Sequence, residues 1–258
     1  MVAGLAFSSP ERAWIVTQQT IQPLGDVDWA VLQAGLRPSA YRRLREVLDP
    51  VLASIALLVA LPLLGIVALA IRLDSPGPVL FRQLRGGRLA VPFVIVKFRT
   101  MRADAAAYSV KVDPDDPAIT RVGRLLRASG LDELPQLWNV ARGEMGLIGP
   151  RPEQYPLLAA YEPWQHERHV VKPGVTGWWQ VNHRDAEPIQ ANVERDLHYV
   201  RNQGLALDAL IVVRTLGLPF AAVVSAVRRG PRPGAAGEAG PDMAERPPVD
   251  GVERVSGA

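Results

Sequence analysis

The sequence has no cysteine among its 258 residues, which excludes a disulfide framework, a thiolate metal site and a cysteine nucleophile. Lysine is scarce as well, because nearly all of the 29 basic residues are arginine. The net charge of +3 is compatible with nucleic acid, anionic lipid or a phosphorylated substrate as partner. No helix-turn-helix, zinc-finger or RNA-binding signature occurs, so we expect lipid and phosphorylated substrates as partners and no nucleic acid.

Charge is absent from the whole segment between Pro50 and Ile71. As an α-helix this segment would be about 33 Å long, which matches the hydrocarbon core of a bilayer. A buried helix of that length and purity is uncommon in a soluble protein, so the segment predicts a membrane helix, with a soluble core helix as the alternative. It starts too late in the chain and runs too long for a cleaved signal peptide.

Pro62 lies in the middle of this apolar segment and is predicted to kink the helix, because proline lacks a backbone donor. Arginines flank both ends, and positive charge normally stays on the cytoplasmic side of a membrane. A helix that bends near Pro62 and returns to the face it entered satisfies both ends. We therefore predict a re-entrant membrane helix; a single-pass helix with the N-terminal residues outside is the alternative.

The remaining pattern predicts an α+β domain that is mostly helical and membrane-associated, with one small β-hairpin. Val79–Leu84 and Val91–Phe98 have strand character around a glycine turn, and helices are expected at Pro135–Ala141 and Pro156–Val170. The predicted organisation is an N-terminal extension (1–40), a basic helix with the membrane helix (41–72), a cytoplasmic catalytic domain with interfacial helices (73–228) and a disordered tail (229–258).

Two adjacent carboxylates, Asp132 and Glu133, are the main candidates for chemistry. On a helix they would point about 100° apart, which suits one for attack or titration and the other for holding a cation. Hard oxygen ligands of this kind favour Mg²⁺, which also takes phosphate oxygens. A helix starting at Pro135 would present its N-terminus to a phosphate. The alternative is that both acidic residues only stabilise that helix start.

Cations surround this acidic pair in the sequence, and guanidinium groups bind phosphate through paired donors. Gly149-Pro150-Arg151-Pro152 holds Arg151 in a rigid loop. Lys97 is a lone cation in an apolar strand, where a lysine reaching out to solvent is the alternative to a phosphate contact. The candidate catalytic residues are Asp132, Glu133 and Arg127, and the candidate phosphate-binding residues are Lys97, Arg99, Arg142 and Arg151.

Several short motifs occur in a fixed order over the central part of the chain. They are Asp74-Ser-Pro-Gly-Pro-Val-Leu-Phe-Arg-Gln83, Lys97-Phe-Arg-Thr-Met101, Leu131-Asp-Glu-Leu-Pro-Gln-Leu-Trp-Asn-Val140, Gly149-Pro-Arg-Pro152 and Lys172-Pro-Gly-Val-Thr-Gly-Trp-Trp-Gln180. From about Tyr41 to Leu218 the chain thereby resembles the bacterial sugar transferase family, the monotopic polyprenyl-phosphate phosphoglycosyl transferases. With a single apolar segment before the motifs, it resembles the small type.

The resemblance implies transfer of a sugar phosphate from a UDP-sugar to polyprenyl (undecaprenyl) phosphate, with release of UMP. It implies that Asp132 is the nucleophile of an aspartyl-phosphosugar intermediate, and that Glu133 holds Mg²⁺. Lys97, Arg127 and Arg151 match basic positions that neutralise phosphate charge. It also implies a bacterial inner-membrane protein with its catalytic domain in the cytoplasm, acting before later glycosyltransferases in exopolysaccharide or capsule assembly.

Two other functions compete with this one: a non-enzymatic membrane scaffold, and a nucleotide-sugar pyrophosphatase with water as acceptor. The sequence also departs from the family pattern in three places. Leu61-Pro62 stands where the family has Ser-Pro, Arg45-Glu46 replaces Lys-Arg, and Gly130 takes the place of a serine before the acidic pair. None of these changes touches Asp132 or Glu133.

Overall fold

The computed structural model describes residues 27–36, 39–105, 116–183 and 193–229. Within these ranges the chain is mostly helical, with a two-stranded antiparallel sheet and one long apolar helix. The predicted α+β class with a small hairpin is confirmed to that extent. Residues 1–26, 37 and 38 of the N-terminal extension, and residues 230–258 of the tail, lie outside the described residues, and with them the predicted disorder of the tail.

The elements follow one another in a simple order. The α-helices are α1 (Trp29–Ala34), α2 (Ala40–Asp74), α3 (Arg121–Ser129), α4 (Leu137–Ala141), α5 (Trp178–His183), α6 (Val193–Asn202) and α7 (Leu205–Arg229). The strands are β1 (Leu80–Gly86), β2 (Pro92–Phe98), β3 (Gly146–Ile148) and β4 (Gly174–Thr176). Short 3₁₀ helices cover Arg88–Ala90, Leu131–Gln136, Tyr155–Ala160 and Pro163–Val170.

Helix α2 runs for 35 residues and continues through Pro50 and Pro62, so it is about 52 Å long. One face is buried, and the opposite face exposes large apolar side chains, including Leu58, Val59 and Ile66. Among the described residues it alone is long and apolar enough to cross a membrane. Only 11% of its most apolar 18-residue stretch is buried, which separates it from the core helix of a soluble protein.

Both ends of α2 pack on the same folded domain. Near its start, Ala53 is fully buried in a cluster with Ile95 of β2 and Val140 of α4. Near its end, Ile71 is buried in a second cluster that includes Leu126 of α3. The helix therefore forms a wall of the hydrophobic core at both ends, while its exposed face has no covering element in the described part of the chain.

A charged network fixes the start of α2. The Arg45 guanidinium donates to Asp49 Oδ2 (2.9 Å), to the Ile148 carbonyl (2.6 Å) and to the Tyr199 hydroxyl (2.7 Å), and lies 3.0 Å from Asp208 Oδ2. These partners belong to α2 itself, β3, α6 and α7. Charge-assisted bonds with little solvent access are the stronger kind, so this network holds the start of α2 against β3, α6 and α7.

Strands β1 and β2 form the predicted hairpin, with Phe81 opposite Lys97. The edge of β2 is extended by a side chain: Val96 N donates to Asn139 Oδ1 (3.0 Å), and Asn139 Nδ2 donates to the Val94 carbonyl (2.7 Å). Asn139 is buried in α4. Its side-chain amide makes the hydrogen bonds to β2 that a neighbouring strand would make, so these backbone groups at the sheet edge are satisfied. This contact holds the segment before α4 against the C-terminal end of β2.

Helix α3 approaches the chain after β2 closely enough to require glycine. A Cβ placed on Gly123 would lie 2.0 Å from the Thr100 carbonyl oxygen, which is far inside contact distance. The Thr120 hydroxyl caps the helix by accepting from Gly123 N (2.9 Å). The sequence motif around Thr100 and the sequence before the acidic pair are brought together by this approach.

Replacing Gly123 by alanine should destabilise the protein by about 1–3 kcal/mol, since backbone must move to admit the methyl group. The measurement is the unfolding midpoint of the detergent-solubilised chain. Gly217→Ala is the matched control, because nothing lies within 4 Å of a Cβ at Gly217 in α7. Its helical alanine should be neutral or stabilising by up to about 1 kcal/mol, and equal losses in the two variants would contradict the close-approach argument.

Candidate active site

Gly130 directs the chain from α3 into the acidic pair. Its φ of 73° lies in the left-handed region that glycine adopts at low cost, and it ends α3. A serine at this position would be strained, so the departure from the family pattern has a local reason. The next residues form the 3₁₀ helix Leu131–Gln136, with Asp132 and Glu133 in its first turn. At three residues per turn their side chains leave about 120° apart.

The helix predicted from Pro135 begins instead at Leu137, because Pro135 lies inside this 3₁₀ helix. The acidic pair is therefore part of a helical segment rather than a loop before one. The prediction that a helix N-terminus at Pro135 faces a phosphate is therefore wrong. The anion-attracting groups near the acidic pair are side-chain cations.

Glu133 joins two of these cations. Lys97 Nζ donates to Glu133 Oε1 at 2.9 Å, and an Arg151 Nη donates to the same oxygen at 3.1 Å. All three side chains are largely screened from solvent, with exposed fractions of 14% for Lys97 and Glu133 and 27% for Arg151. Opposite charges attract more strongly where little water is present, so these ion pairs are stronger than ion pairs on the protein surface.

Asp132 belongs to the same electrostatic group. Its carboxylate acts on the pKa of Lys97, of Arg151 and of Arg127. Arg127 is held in place by its Nε, which donates to the Thr100 hydroxyl at 2.9 Å. Two carboxylates thus face three cations, an arrangement with one surplus positive charge that suits a phosphorylated ligand.

The pKa values in this cluster shift for different reasons. Burial lowers the pKa of Lys97 from its ordinary value of 10.5, and the Glu133 carboxylate only partly opposes that shift. For Arg151 burial also acts to lower the pKa, but the combined attraction of Glu133, Asp132 and Glu153 outweighs it and raises the pKa overall. Burial lowers the pKa of Arg127, against the attraction of Asp132. Lys97 is therefore the cation of this cluster that titrates first as pH rises.

The loop that carries Arg151 is pinned by a buried arginine that sequence inspection did not single out. An Arg168 Nη donates to the Arg151 carbonyl at 2.6 Å, and the guanidinium pairs with Asp196 Oδ2 at 2.6 and 3.0 Å. Arg85 donates to the next carbonyl, that of Pro152, at 2.9 Å. Arg168 stands between Glu167 and His169 in the sequence, and neither neighbour indicates that its side chain is buried and directed toward this loop.

The other predicted residues lie elsewhere. Arg99 donates to the carbonyls of Ser75 and Pro76 and to the Ser75 hydroxyl, so it closes the turn after α2. Arg142 follows α4 and is paired with Glu144 at 3.1 Å. Pro62 is exposed on α2. The structure brings Lys97, Arg127, Asp132, Glu133 and Arg151 together and does not place Arg99 or Arg142 with them.

A metal ion at this site would depend on the acidic pair. In the described ranges no group of three or more His, Asp or Glu side chains is placed to hold one. Asp132 and Glu133 are the carboxylates of this cluster that could hold it, and Glu133 Oε1 already accepts from Lys97 and Arg151. Mg²⁺ binds one or two carboxylates together with phosphate oxygens and water, and this donor set fits it.

Comparison with known proteins gives one family. The family described as "Bacterial sugar transferase" matches residues 40–222 of the chain. The match starts at α2 and includes both strand pairs and the whole cluster around Glu133. It extends over most of the described residues.

Individual relatives carry related names. A protein of Aeromonas hydrophila named UDP-N-acetylgalactosamine-undecaprenyl-phosphate N-acetylgalactosaminephosphotransferase is 40% identical over 68% of this chain and 43% of its own. The UDP-glucose:undecaprenyl-phosphate glucose-1-phosphate transferase of Escherichia coli K12 is 42% identical over 68% and 40%. The exopolysaccharide production protein PSS of Rhizobium leguminosarum bv. phaseoli is 41% identical over 68% and 90%. The chain thus spans less than half the length of the first two.

Proposed function

Because the chain belongs to the bacterial sugar transferase family, we propose that it transfers a sugar phosphate from a UDP-sugar to undecaprenyl phosphate and releases UMP. The names of its relatives support this substrate pair. The observation that carries the proposal is the cluster in which Lys97 and Arg151 share one oxygen of Glu133, beside Asp132 and Arg127. It joins a nucleophile of the right type to cations that match a diphosphate.

In the first proposed step a carboxylate oxygen of Asp132 attacks the phosphorus that bears the sugar. The bond from that phosphorus to the bridging oxygen breaks, UMP leaves with the electron pair, and an aspartyl-phosphosugar forms. Negative charge moves onto the bridging oxygen and the outer phosphate oxygens. Lys97, Arg127 and Arg151 face this charge from fixed positions, so little reorganisation is needed when it develops.

In the second proposed step a phosphate oxygen of undecaprenyl phosphate attacks the phosphorus of the aspartyl-phosphosugar. The bond to the Asp132 oxygen breaks, the carboxylate is restored and undecaprenyl-diphospho-sugar leaves. The same cations act again because the same phosphorus is attacked. Such a product is the lipid carrier on which glycan assembly of the exopolysaccharide or capsule type begins, with other glycosyltransferases acting later.

When bound, Mg²⁺ would supply positive charge for the leaving UMP. Glu133 is the proposed protein ligand. Its bonds to Lys97 and Arg151 would hold the carboxylate in a fixed position. In this division of roles Asp132 is the attacking group.

We propose further that α2 enters the membrane and returns to the face from which it came. A single-pass helix would place its two ends on opposite sides of about 30 Å of hydrocarbon. Here Arg45, near one end, and Ile71, near the other, contact the same domain, as does Ala53 between them, which supports a shallow or re-entrant position. The domain would then face the cytoplasm of a bacterial cell, where UDP-sugars are made, at the inner membrane.

The test is UMP release by the purified full chain with Mg²⁺ and a panel of UDP-sugars, with and without undecaprenyl phosphate. Release that requires the lipid phosphate supports transfer and identifies the sugar. Release without the lipid indicates a pyrophosphatase instead. No release from folded protein across the panel favours a non-enzymatic membrane scaffold and contradicts the proposal.

The pH dependence should report Lys97. Its pKa lies below 10.5, so its protonated fraction falls at a lower pH than that of an ordinary lysine, and the rate is lost on the alkaline side. The kcat/KM for the UDP-sugar reflects the free enzyme and is the quantity to measure. Lys97→Arg should move the alkaline limb upward, because arginine stays protonated. Arg82→Lys, on an exposed position of β1, should leave the limb unchanged; a limb that stays in place in Lys97→Arg assigns it to another group.

Loss of the proposed metal ligand should change the requirement for Mg²⁺. Glu133→Gln is expected to raise the Mg²⁺ concentration for half-maximal rate by at least about tenfold. Glu194→Gln removes one carboxylate on the exposed face of α6 and should leave that concentration unchanged. An unchanged Mg²⁺ dependence in Glu133→Gln, or full activity in excess chelator, would argue against the ligand role.

A further inference from the structure

A second charged site lies apart from the Asp132 cluster, at the corner where α1 meets the start of α2. The structure has a cavity of about 370 Å³ there. Its walls come from α1, the first turns of α2, the segment at Arg88, β3 and the end of α6. None of the residues that line it belongs to the Asp132 cluster, and the proposed transfer reaction does not use it.

The lining is strongly cationic. Arg42, Arg43, Arg45, Arg88 and Lys172 line the cavity, against the carboxylates of Glu46 and Asp49. Both carboxylates are already engaged, Asp49 by Arg45 at 2.9 Å and Glu46 by Arg88 at 2.8 Å. The cavity therefore has three more positive than negative side chains, and both negative side chains form ion pairs with arginines of the protein itself.

Arg43 and Lys172 carry the surplus. Among the described residues neither has a carboxylate within ion-pair distance, although both line the same cavity. They come from different elements, α2 and the segment before β4, so a bound anion would contact two separate parts of the fold. Ser39 and Gln203 also line the cavity and offer neutral donors, which is the mixture of charged and neutral donors that phosphate groups accept.

The position along α2 points to the same class of ligand. Arg43 precedes Pro50, where the apolar segment starts, by seven residues, or about 10 Å of helix. The polar headgroup layer of a bilayer is about 5–8 Å thick on each side, so Arg43 would lie near its outer edge. If α2 enters the membrane as proposed above, the cavity lies at the level of lipid phosphates.

We propose that this cavity is a binding site for a phosphate-bearing anion, supplied either by an acidic lipid headgroup or by a small soluble phosphate. Arg43 and Lys172 are the primary contacts. Arg45 is committed to the network of Asp49, Ile148 and Tyr199 and shapes the wall instead. Occupancy would link the start of α2 to β4 through one anion, so binding should stabilise the fold.

The experiment measures the unfolding midpoint of the full chain with two probes. One arm titrates inorganic phosphate into detergent-solubilised protein, with sodium chloride at matched ionic strength as reference. The other compares nanodiscs of phosphatidylcholine with nanodiscs that also contain phosphatidylglycerol. A ligand at a hundredfold excess over its Kd should raise the midpoint by about 5–10 °C.

The variant is Arg43→Gln with Lys172→Gln, and the matched control is Arg82→Gln with Arg124→Gln, two exposed arginines outside the cavity. The proposal expects the cavity variant to lose the shift and the control to keep it. A shift in the lipid arm alone identifies a headgroup, and a shift in both arms identifies the phosphate group itself. If phosphate binds at the Asp132 cluster instead, the shift of the unfolding midpoint would persist in the cavity variant, which distinguishes the two sites.

Two results overturn the proposal. Equal loss of the shift in the cavity variant and in the control would mean that the anion binds the positively charged surface in general and not this cavity. No shift in the wild type with either probe would mean that the cavity binds neither. If the double variant unfolds too early to compare, Lys172→Gln alone gives the same comparison with one charge removed. Neither outcome depends on UMP release, so failure here is distinct from failure of the proposed transferase.

Discussion

Asp132→Asn should lower UMP release by at least about 1,000-fold while leaving the protein folded. The change keeps the shape of the side chain and removes the negative charge and the attacking oxygen. With a donor labelled in the sugar phosphate and no acceptor present, wild-type protein should retain label through denaturation. The variant should retain none, because no aspartyl-phosphosugar can form.

Asp104→Asn is the matched control for this result. Asp104 is exposed and paired with Arg102 outside the cluster, so its amide variant should release UMP at the wild-type rate. Label that stays on the Asp132→Asn protein would place the covalent link on another residue. Full turnover by that variant without any labelled protein would indicate direct transfer between donor and acceptor.

Arg168→Met should be the most destabilising single substitution proposed here, at about 3–5 kcal/mol. The Arg168 side chain is fully buried, and its removal leaves the Asp196 carboxylate buried without its counter-charge. For a protein of this size the loss corresponds to roughly 10 °C in the unfolding midpoint. Activity should fall as well, because the Arg151 carbonyl loses the donor that fixes its loop.

Arg201→Met tests whether burial is the reason. Arg201 is paired with Glu167 as Arg168 is with Asp196, but 59% of the Arg201 side chain is exposed. Exposed pairs contribute less than about 1 kcal/mol, so this variant should unfold close to the wild-type midpoint. Similar midpoints for the two variants would show that the buried pair adds no more than a surface pair does.

The parts of the fold that the sequence predicted are those with a local signal. The apolar segment predicts a helix and the alternation predicts the hairpin strands without information from distant residues. The predicted bounds of both agree with the structure within a few residues. The predicted helix Pro156–Val170 was wrong in type, because the structure has two 3₁₀ helices there. Pro163 keeps Glu162 extended and so separates them. The parallel pair of β3 and β4 is short and distant in sequence and has no such signal.

In the candidate site, motif order located the acidic pair and three of its cations, but not their partners. Lys97 and Arg151 are 54 positions apart, and their common bond to Glu133 depends on how α4 docks on β2 through Asn139. Arg99 carries the same charge two residues after Lys97, yet it turns toward Ser75. The sequence alone cannot tell which of these basic residues faces the acidic pair, because the direction of each side chain depends on packing between distant elements.

The way α2 is built into the domain bears on how this protein can be prepared. Ala53, Val67 and Ile71 are inward-facing parts of two hydrophobic clusters, so the helix is not a tether that joins a finished domain to a bilayer. A truncation that removes residues 40–74 would open the core and would not release a water-soluble enzyme. Replacing the helix by an unrelated membrane anchor would fail for the same reason, whereas polar substitutions at Leu58, Val59 and Ile66 would change solubility and spare the core.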